Sequence, residues 1–175
     1  MTKKLFNNTI EIHLFYKLRR ILMQIRTFES TDAAGVKSII SGVMNKEFAS
    51  EEKAYLYGDL DDISNAYGKL REKFLVAEES AGVAGCVGIK EDSDSTALLR
   101  RLFVHPSHRG RDVGSMLVDT ALDFCKMSHY KKVVFRATSK MNAAIKLLVE
   151  KKGFTEDERY VFDDIEIVML SYKVH

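Results

Sequence analysis

The residues best equipped for chemistry lie in one short run, His108-Arg109-Gly110-Arg111-Asp112-Val113-Gly114-Ser115. Arg109 and Arg111 carry charge that does not titrate near neutral pH. Gly110 and Gly114 lack Cβ, so the chain can turn sharply there and bring its amides close to a ligand. The run suits an oxyanion, and a pyrophosphate better than a single carboxylate. If a helix begins inside it, the unpartnered N–H groups of the first turn and the helix dipole attract the same anion. The same residues would also serve as a plain helix start with solvated arginines, and spacing alone does not separate the two. Two familiar phosphate loops are absent, since no Gly-Lys-Ser/Thr and no G-x-G-x-x-G follows the preceding strand.

The flanking segments are those that would position such a loop. Ala97 to Val104 is apolar enough for a buried strand, and Pro106 cannot continue a ladder because it has no N–H. Val113, Met116, Leu117, Thr120, Ala121 and Phe124 recur with the period that lays one stripe along a helix. The order is strand, tight loop, helix.

Beyond it, Lys132 to Ala137 reads as a strand and Met141 to Lys152 as a helix stopped by Gly153, with Asn142 at its start. Upstream, Gln24 to Phe28 permits a first strand. Ser30-Thr31-Asp32 offers N-caps for a helix whose stripe is Val36, Ile39, Ile40, Val43 and Met44. Glu51 to Asp62 is acidic and interleaved with Tyr55, Tyr57 and Leu60, as a solvated face or as a rim that attracts a cationic amine. Ile63 to Lys73 reads as helical through Ile63, Tyr67 and Leu70. Phe74 to Glu78 and Val83 to Ile89 form a hairpin around Ser80-Ala81-Gly82, with Gly85 and Gly88 relieving crowding in a twisted sheet. Tyr160 to Phe162 and Ile165 to Lys173 complete the strands. Strands alternating with helices, plus hairpins, indicate a mixed α/β sheet.

The 175 residues suit one domain, and 46% hydrophobic with 30% charged residues is an ordinary balance for a globular protein. A net charge of +2 gives no electrostatic case for nucleic acid or membrane as a partner. Cys86 and Cys125 fall inside a predicted strand and helix, as free thiols of a reducing, cytoplasmic protein. The five histidines show no ligand spacing, so no metal is expected. Residues 1–22 lack an uninterrupted apolar run. Leu14, Leu18, Ile21 and Leu22 are helically spaced there among basic residues, and the segment reads as an appended extension or an early-called start before a domain of residues 23–175.

Leu102-Phe103-Val104-His105-Pro106 followed by Arg109-Gly110-Arg111-Asp112-Val113-Gly114 resembles the acetyl-CoA signature of the GNAT superfamily of N-acetyltransferases, R/Q-x-x-G-x-G/A. Asn142-Ala143-Ala144-Ile145 leading to Glu150-Lys151-Lys152-Gly153-Phe154 resembles that family's closing helix and Gly-Phe. The resemblance implies a single GNAT-like domain, a mixed and mostly antiparallel sheet splayed at the central strands with helices on both faces. It implies acetyl-CoA as co-substrate, held by Leu102, Phe103, Val104, Arg109, Gly110, Arg111, Asp112, Val113, Gly114, Ser115 and Asn142. The acceptor would be a primary amine of a small molecule or peptide, and self-association as a homodimer stays open.

The sequence departs from the pattern twice. Asp112 stands where the family most often has its first glycine, although Asp tolerates a left-handed backbone and is a good N-cap. Val149 stands where many members have a tyrosine proposed to protonate the departing thiolate, and its place in the series Met141, Ala144, Ile145, Leu148 reads as core. A positioned acid is typically worth about 10²- to 10⁴-fold, but a thiol with a pKa of about 8.5 leaves tolerably without one. Ser139 and Tyr160 are candidates for the missing acid, and Glu78 and Glu79 for a base. Rival readings are a non-catalytic acyl-CoA-binding or sensing module, and a phosphate-ligand domain that takes no coenzyme A.

Overall fold

The computed structural model describes residues 23–55, 57–80 and 82–175. The extension or early-called start read over residues 1–22, and Ala81 of the expected turn, lie outside them. Seven strands form one sheet: β1 (Met23–Thr27), β2 (Lys73–Glu79), β3 (Gly82–Ser93), β4 (Thr96–Val104), β5 (Lys132–Thr138), β6 (Thr155–Phe162) and β7 (Ile165–Lys173). Their spatial order is β1-β2-β3-β4-β5-β7-β6, and every pair is antiparallel except β4 with β5.

That parallel pair is short. Thr96 to Leu99 lie beside Lys132 to Phe135, and the two strands then part. The cause lies on the other edge of β4. Cys86 opposes Phe103 and Gly88 opposes Arg100, so Arg101 and Leu102 together face the single residue Val87. This is a β-bulge, with Arg101 at φ +54°, and a bulge bends and twists its strand. Strand β4 therefore swings away from β5 and leaves an open fork.

Helices cover both faces. They are α1 (Ala33–Glu47), the short α2 (Ile63–Ala66), α3 (Val113–Met127) and α4 (Asn142–Lys146), the last continued by a π-helical turn over Leu147–Lys151. Side chains three apart on a strand point to opposite faces. Gly85 lies under Leu117 of α3, whereas Gly88 lies under the ring of Tyr67, just beyond α2. Both glycines serve close approach by the protein's own groups: a Cβ on Gly85 would sit 2.7 Å from the carbonyl oxygen of Phe103, and one on Gly88 would sit 2.5 Å from the Tyr67 ring. The core runs continuously between layers through Val36, Ile40, Val76, Val87, Leu99, Leu117 and Leu148.

Three expectations are corrected. The helix expected over Ile63 to Lys73 ends at Ala66, because the chain leaves the helical path to lay Tyr67 against Phe74 at 4.9 Å, and Leu70 is left 95% exposed. Strand β6 begins at Thr155 rather than Tyr160, and as the solvated sheet edge it lacks the apolar alternation that marks buried strands. Val149 is exposed rather than core: of the two neighbours in the π-helical turn, Leu148 is buried as expected and Val149 faces solvent.

Gly85→Ala should destabilise the protein by about 1 to 3 kcal/mol, because the clash is with backbone at the bulge rather than with a movable side chain. Chemical denaturation of the two proteins measures this, and an unchanged midpoint would contradict the bulge geometry.

Candidate active site

The open fork continues into a cavity of about 610 Å³. Its floor is the end of β4, where Leu102, Phe103 and Val104 face β5 without a strand partner. One wall is the loop and first turn of α3, contributing Arg109, Gly110, Asp112, Val113, Gly114 and Ser115. The facing wall is the start of α4 with Asn142 and, farther along, Ala144, Leu147 and Lys151. Ten of the eleven residues singled out by sequence thus share one cavity.

Arg111 is the exception. It turns away from the cavity and pairs with the Glu79 carboxylate, which also lies 3.1 Å from His108 Nε2. The first-turn amides and Arg109 remain. Arg109 is held across the rim, with its Nε donating to the Val104 carbonyl at 3.2 Å and its guanidinium gripping Glu47 of α1 at 2.9 Å.

Gly110 takes φ +69° with open space where a Cβ would stand, so the loop there presents bare backbone. Gly114 acts differently. A Cβ on it would sit 3.2 Å from Leu147, so this glycine lets α4 close against α3. Asp112 is the N-cap residue, left-handed at φ 61°, and its carbonyl accepts from Met116 N–H at 2.9 Å. Its carboxylate makes no cap bond, contrary to the expected role.

The other candidates lie outside this cavity. Glu78 is bound by Arg26 Nε at 2.9 Å, and that hydrogen bond holds its carboxyl below the usual range. Arg111 does the same to Glu79. Neither is tuned as a base. Ser139 is engaged through its backbone N–H with Glu166, and Tyr160 sits half-exposed on β6 opposite Ile167.

Sequence reasoning missed Val43, Glu47, Phe48, Lys140 and Lys151 as lining residues. Lys151 had a readable signal, standing at helical spacing from Ala144 and Leu147. It also took the acidic stretch as solvated or as an acidic rim, yet two of its carboxylates are buried and paired. Glu51 lies 2.8 Å from Lys140 Nζ, and Asp59 is gripped by Arg101 and accepts from the Tyr67 hydroxyl at 2.5 Å. Burial pushes the Asp59 carboxyl up, but Arg101 and Tyr67 outweigh it and hold the group below the usual carboxylate range.

A strand that bulges and splays, an anion-favouring loop and helix start beside it, and a cavity between them define a domain of the acetyltransferase class. Residues 71–156 match the family model described as acetyltransferase (GNAT) domain. The chain carries a GNAT acetyltransferase domain. Among solved structures, an acetyltransferase of GNAT family from Staphylococcus aureus superposes with a TM-score of 0.76 at 17% identity, covering 87% of this chain and 99% of that one. The structure of yncA from Salmonella typhimurium, solved with its cofactor acetyl-CoA, gives 0.73 at 20% identity, over 88% and 95% of the two chains. Among curated proteins, the "Probable N-acetyltransferase camello" of Xenopus tropicalis is 31% identical over 111 residues, 62% of this chain and 50% of its own length. The chain spans about half the length of that relative or less of the others it matches. No helix among the described residues is long and apolar enough to cross a membrane, and no group of three or more His, Cys, Asp or Glu there is placed to hold a metal ion.

Two outcomes test the site's construction. Asp112→Val should cost about 1 to 2 kcal/mol, the penalty of a left-handed backbone for a branched residue, whereas Asp112→Gly should not destabilise; equilibrium unfolding distinguishes them. Asp59 titrates lower in the folded protein than in the unfolded chain, so its stabilisation is complete above the unfolded value near ~3.9 and is lost as pH falls through the lower folded value. Asp59→Asn should flatten that acid limb and destabilise at neutral pH by about 3 to 5 kcal/mol, because it strips the carboxylate from a buried guanidinium. An unaltered acid limb would contradict this.

Proposed function

We propose that residues 23–175 form an N-acetyltransferase domain that moves the acetyl group of acetyl-CoA directly to a primary amine of a small molecule or peptide. The observation that carries this is the single cavity joining the first turn of α3 to the unpaired edge of β4.

Each part has a chemical use. The backbone around Gly110 and the first-turn amides of α3 suit the pyrophosphate, and Lys140 and Lys151 on the cavity wall add positive charge. Arg109 joins by exchanging the Glu47 carboxylate for a phosphate. Asn142 faces the same space from α4 and can bond the pantetheine amides or the phosphates. The β4 edge around Leu102 to Val104 supplies fixed backbone dipoles for the thioester carbonyl, whose oxygen gains negative charge as the amine attacks. The C–N bond forms, the C–S bond breaks, and the sulfur leaves as thiolate; the acetylated nitrogen releases one proton to solvent and the thiolate takes one up, giving the amide and coenzyme A. Val149 is exposed and cannot donate a proton, so the departing sulfur relies on its own acidity.

Acetyl-CoA at ~100 times its dissociation constant should stabilise the protein by about 2.7 kcal/mol, raising the unfolding midpoint by roughly 5 to 10 °C at this size. Arg109→Glu should abolish most of that shift, while Arg111→Gln, which loosens the tie to Glu79 without setting two carboxylates together, should lower the midpoint with and without acetyl-CoA and keep most of the difference between them. No shift with the unaltered protein would sink the reading. A full shift with no coenzyme A released to any amine would favour the acyl-CoA-binding module instead.

A further inference from the structure

A second cavity of about 370 Å³ lies in the crotch of the fork, on the face that carries Tyr67. Its walls include Tyr55, Leu98, Arg100, Arg101, Phe135 and Arg136. Register explains the convergence. Arg100 opposes Gly88, whose face is that of Tyr67, and Arg136 is two residues beyond Val134, the neighbour of Leu98 on that same face. The parting of β4 and β5 opens the space between their arginines. The two cavities stand back to back across β4: the bulge pair Arg101 and Leu102 sends one residue to each, and the ring of Phe103 in the first packs 5.9 Å from that of Tyr55 in the second.

Charge decides what this cavity accepts. Arg101 is committed to Asp59. Arg100 reaches Asp59 only at 3.7 Å, and Arg136 reaches Asp92 only at 3.7 Å, both beyond hydrogen-bond length, with each guanidinium part-exposed. Among the described residues, Arg100 and Arg136 thus meet carboxylates only at a distance, and their wall keeps surplus positive charge. That surplus suits an anion, and the fork shape of guanidinium matches a carboxylate. The volume is near the small end of the range of about 300 to 1,000 Å³ for ligand sites, which favours a small molecule over a folded partner.

We infer that this cavity is the acceptor subsite and that the acceptor is a small amine bearing a carboxylate, a free amino acid or a compound of that class. The inference rests on the acetyl-transfer reading above. Arg100 and Arg136 bind the carboxylate, which orients the amine through the gap where β4 and β5 part, toward the thioester at the edge of Leu102 to Val104.

The test measures coenzyme A release from acetyl-CoA with the twenty common amino acids and with the α-carboxamide of each. An amide's amine loses its proton more readily, so a preference for the free acid cannot come from a larger neutral fraction. At least one free acid should be used about tenfold or more better than its amide, and Arg100→Gln or Arg136→Gln should each raise its KM about tenfold, the weight of one charge-assisted hydrogen bond. The acetyl-CoA shift in unfolding midpoint should stay unchanged in both variants. Equal use of acids and amides, or no use of any free acid while acetyl-CoA still binds, overturns the subsite and leaves the acetyl-CoA reading standing. Failure of the unaltered protein to bind acetyl-CoA instead strikes that reading, and this inference with it.

Discussion

The structure turns on one irregularity, the bulge that sets Arg101 and Leu102 against Val87. A regular β4 would have continued its parallel ladder with β5 and closed the sheet. With the bulge, the strands part after Leu99, one cavity opens on each side of β4, and the backbone edge between them is left to meet a ligand. The bulge also drives the Arg101 guanidinium into the interior. A buried charge of that kind is costly unless answered, and Asp59 answers it from the segment between α1 and β2. Tyr67 bonds the same carboxylate, and Tyr55 and Tyr57 pack their rings against the guanidinium at 4.9 and 5.8 Å. One ion pair therefore fixes the covering segment over the fork.

The first cavity shows the complementary device. Its cation is kept in reserve by an internal carboxylate, since Arg109 holds Glu47 on the opposite wall. An entering anion replaces an exposed pair, and such pairs are worth only ~0 to 1 kcal/mol, so the exchange is cheap. Arg111, by contrast, is spent on structure. It ties the end of β2 to the loop that carries Gly110, and keeps that loop in place against the sheet.

What was legible in the sequence is what periodicity and local chemistry encode. Helices α1 and α3 announce themselves through apolar stripes, and the end of β4 through Pro106. The glycine-arginine loop was readable because its function depends on backbone and charge at adjacent positions. The destination of Arg111 was not, because Glu79 lies 32 residues away and only the sheet brings them together. Nor was the fate of Val149, since nothing in Leu147 to Lys151 marks a π turn in which Leu148 is buried and Val149 faces solvent. The bulge left a trace that helical and strand templates do not score. Two successive arginines inside an otherwise apolar strand cannot both alternate outward, and one of them must find a buried partner.

That same economy of charge bears on which amines the proposed transfer can use. Among the described residues, Asp32, Glu51, Asp59, Glu78, Glu79, Glu156 and Asp157 are the carboxylates displaced from their ordinary values, and all are displaced downward. Cationic partners or hydrogen bonds to the charged form lie behind each, so none is poised as a base near neutral pH. The Tyr55 phenol, pushed up to about 12 by burial, stays protonated beside the second cavity. Without help from those carboxylates, the amine's own acidity weighs in how readily it loses its proton. A lysine-type amine with a pKa of about 10.4 does so in fewer than one molecule in a thousand at neutral pH, whereas an α-amine near 8 does so in about one in ten. A free amino acid's α-amine lies between these two, because its own carboxylate holds the ammonium form; the arginines of the second cavity, by answering that carboxylate, would also ease the proton's loss.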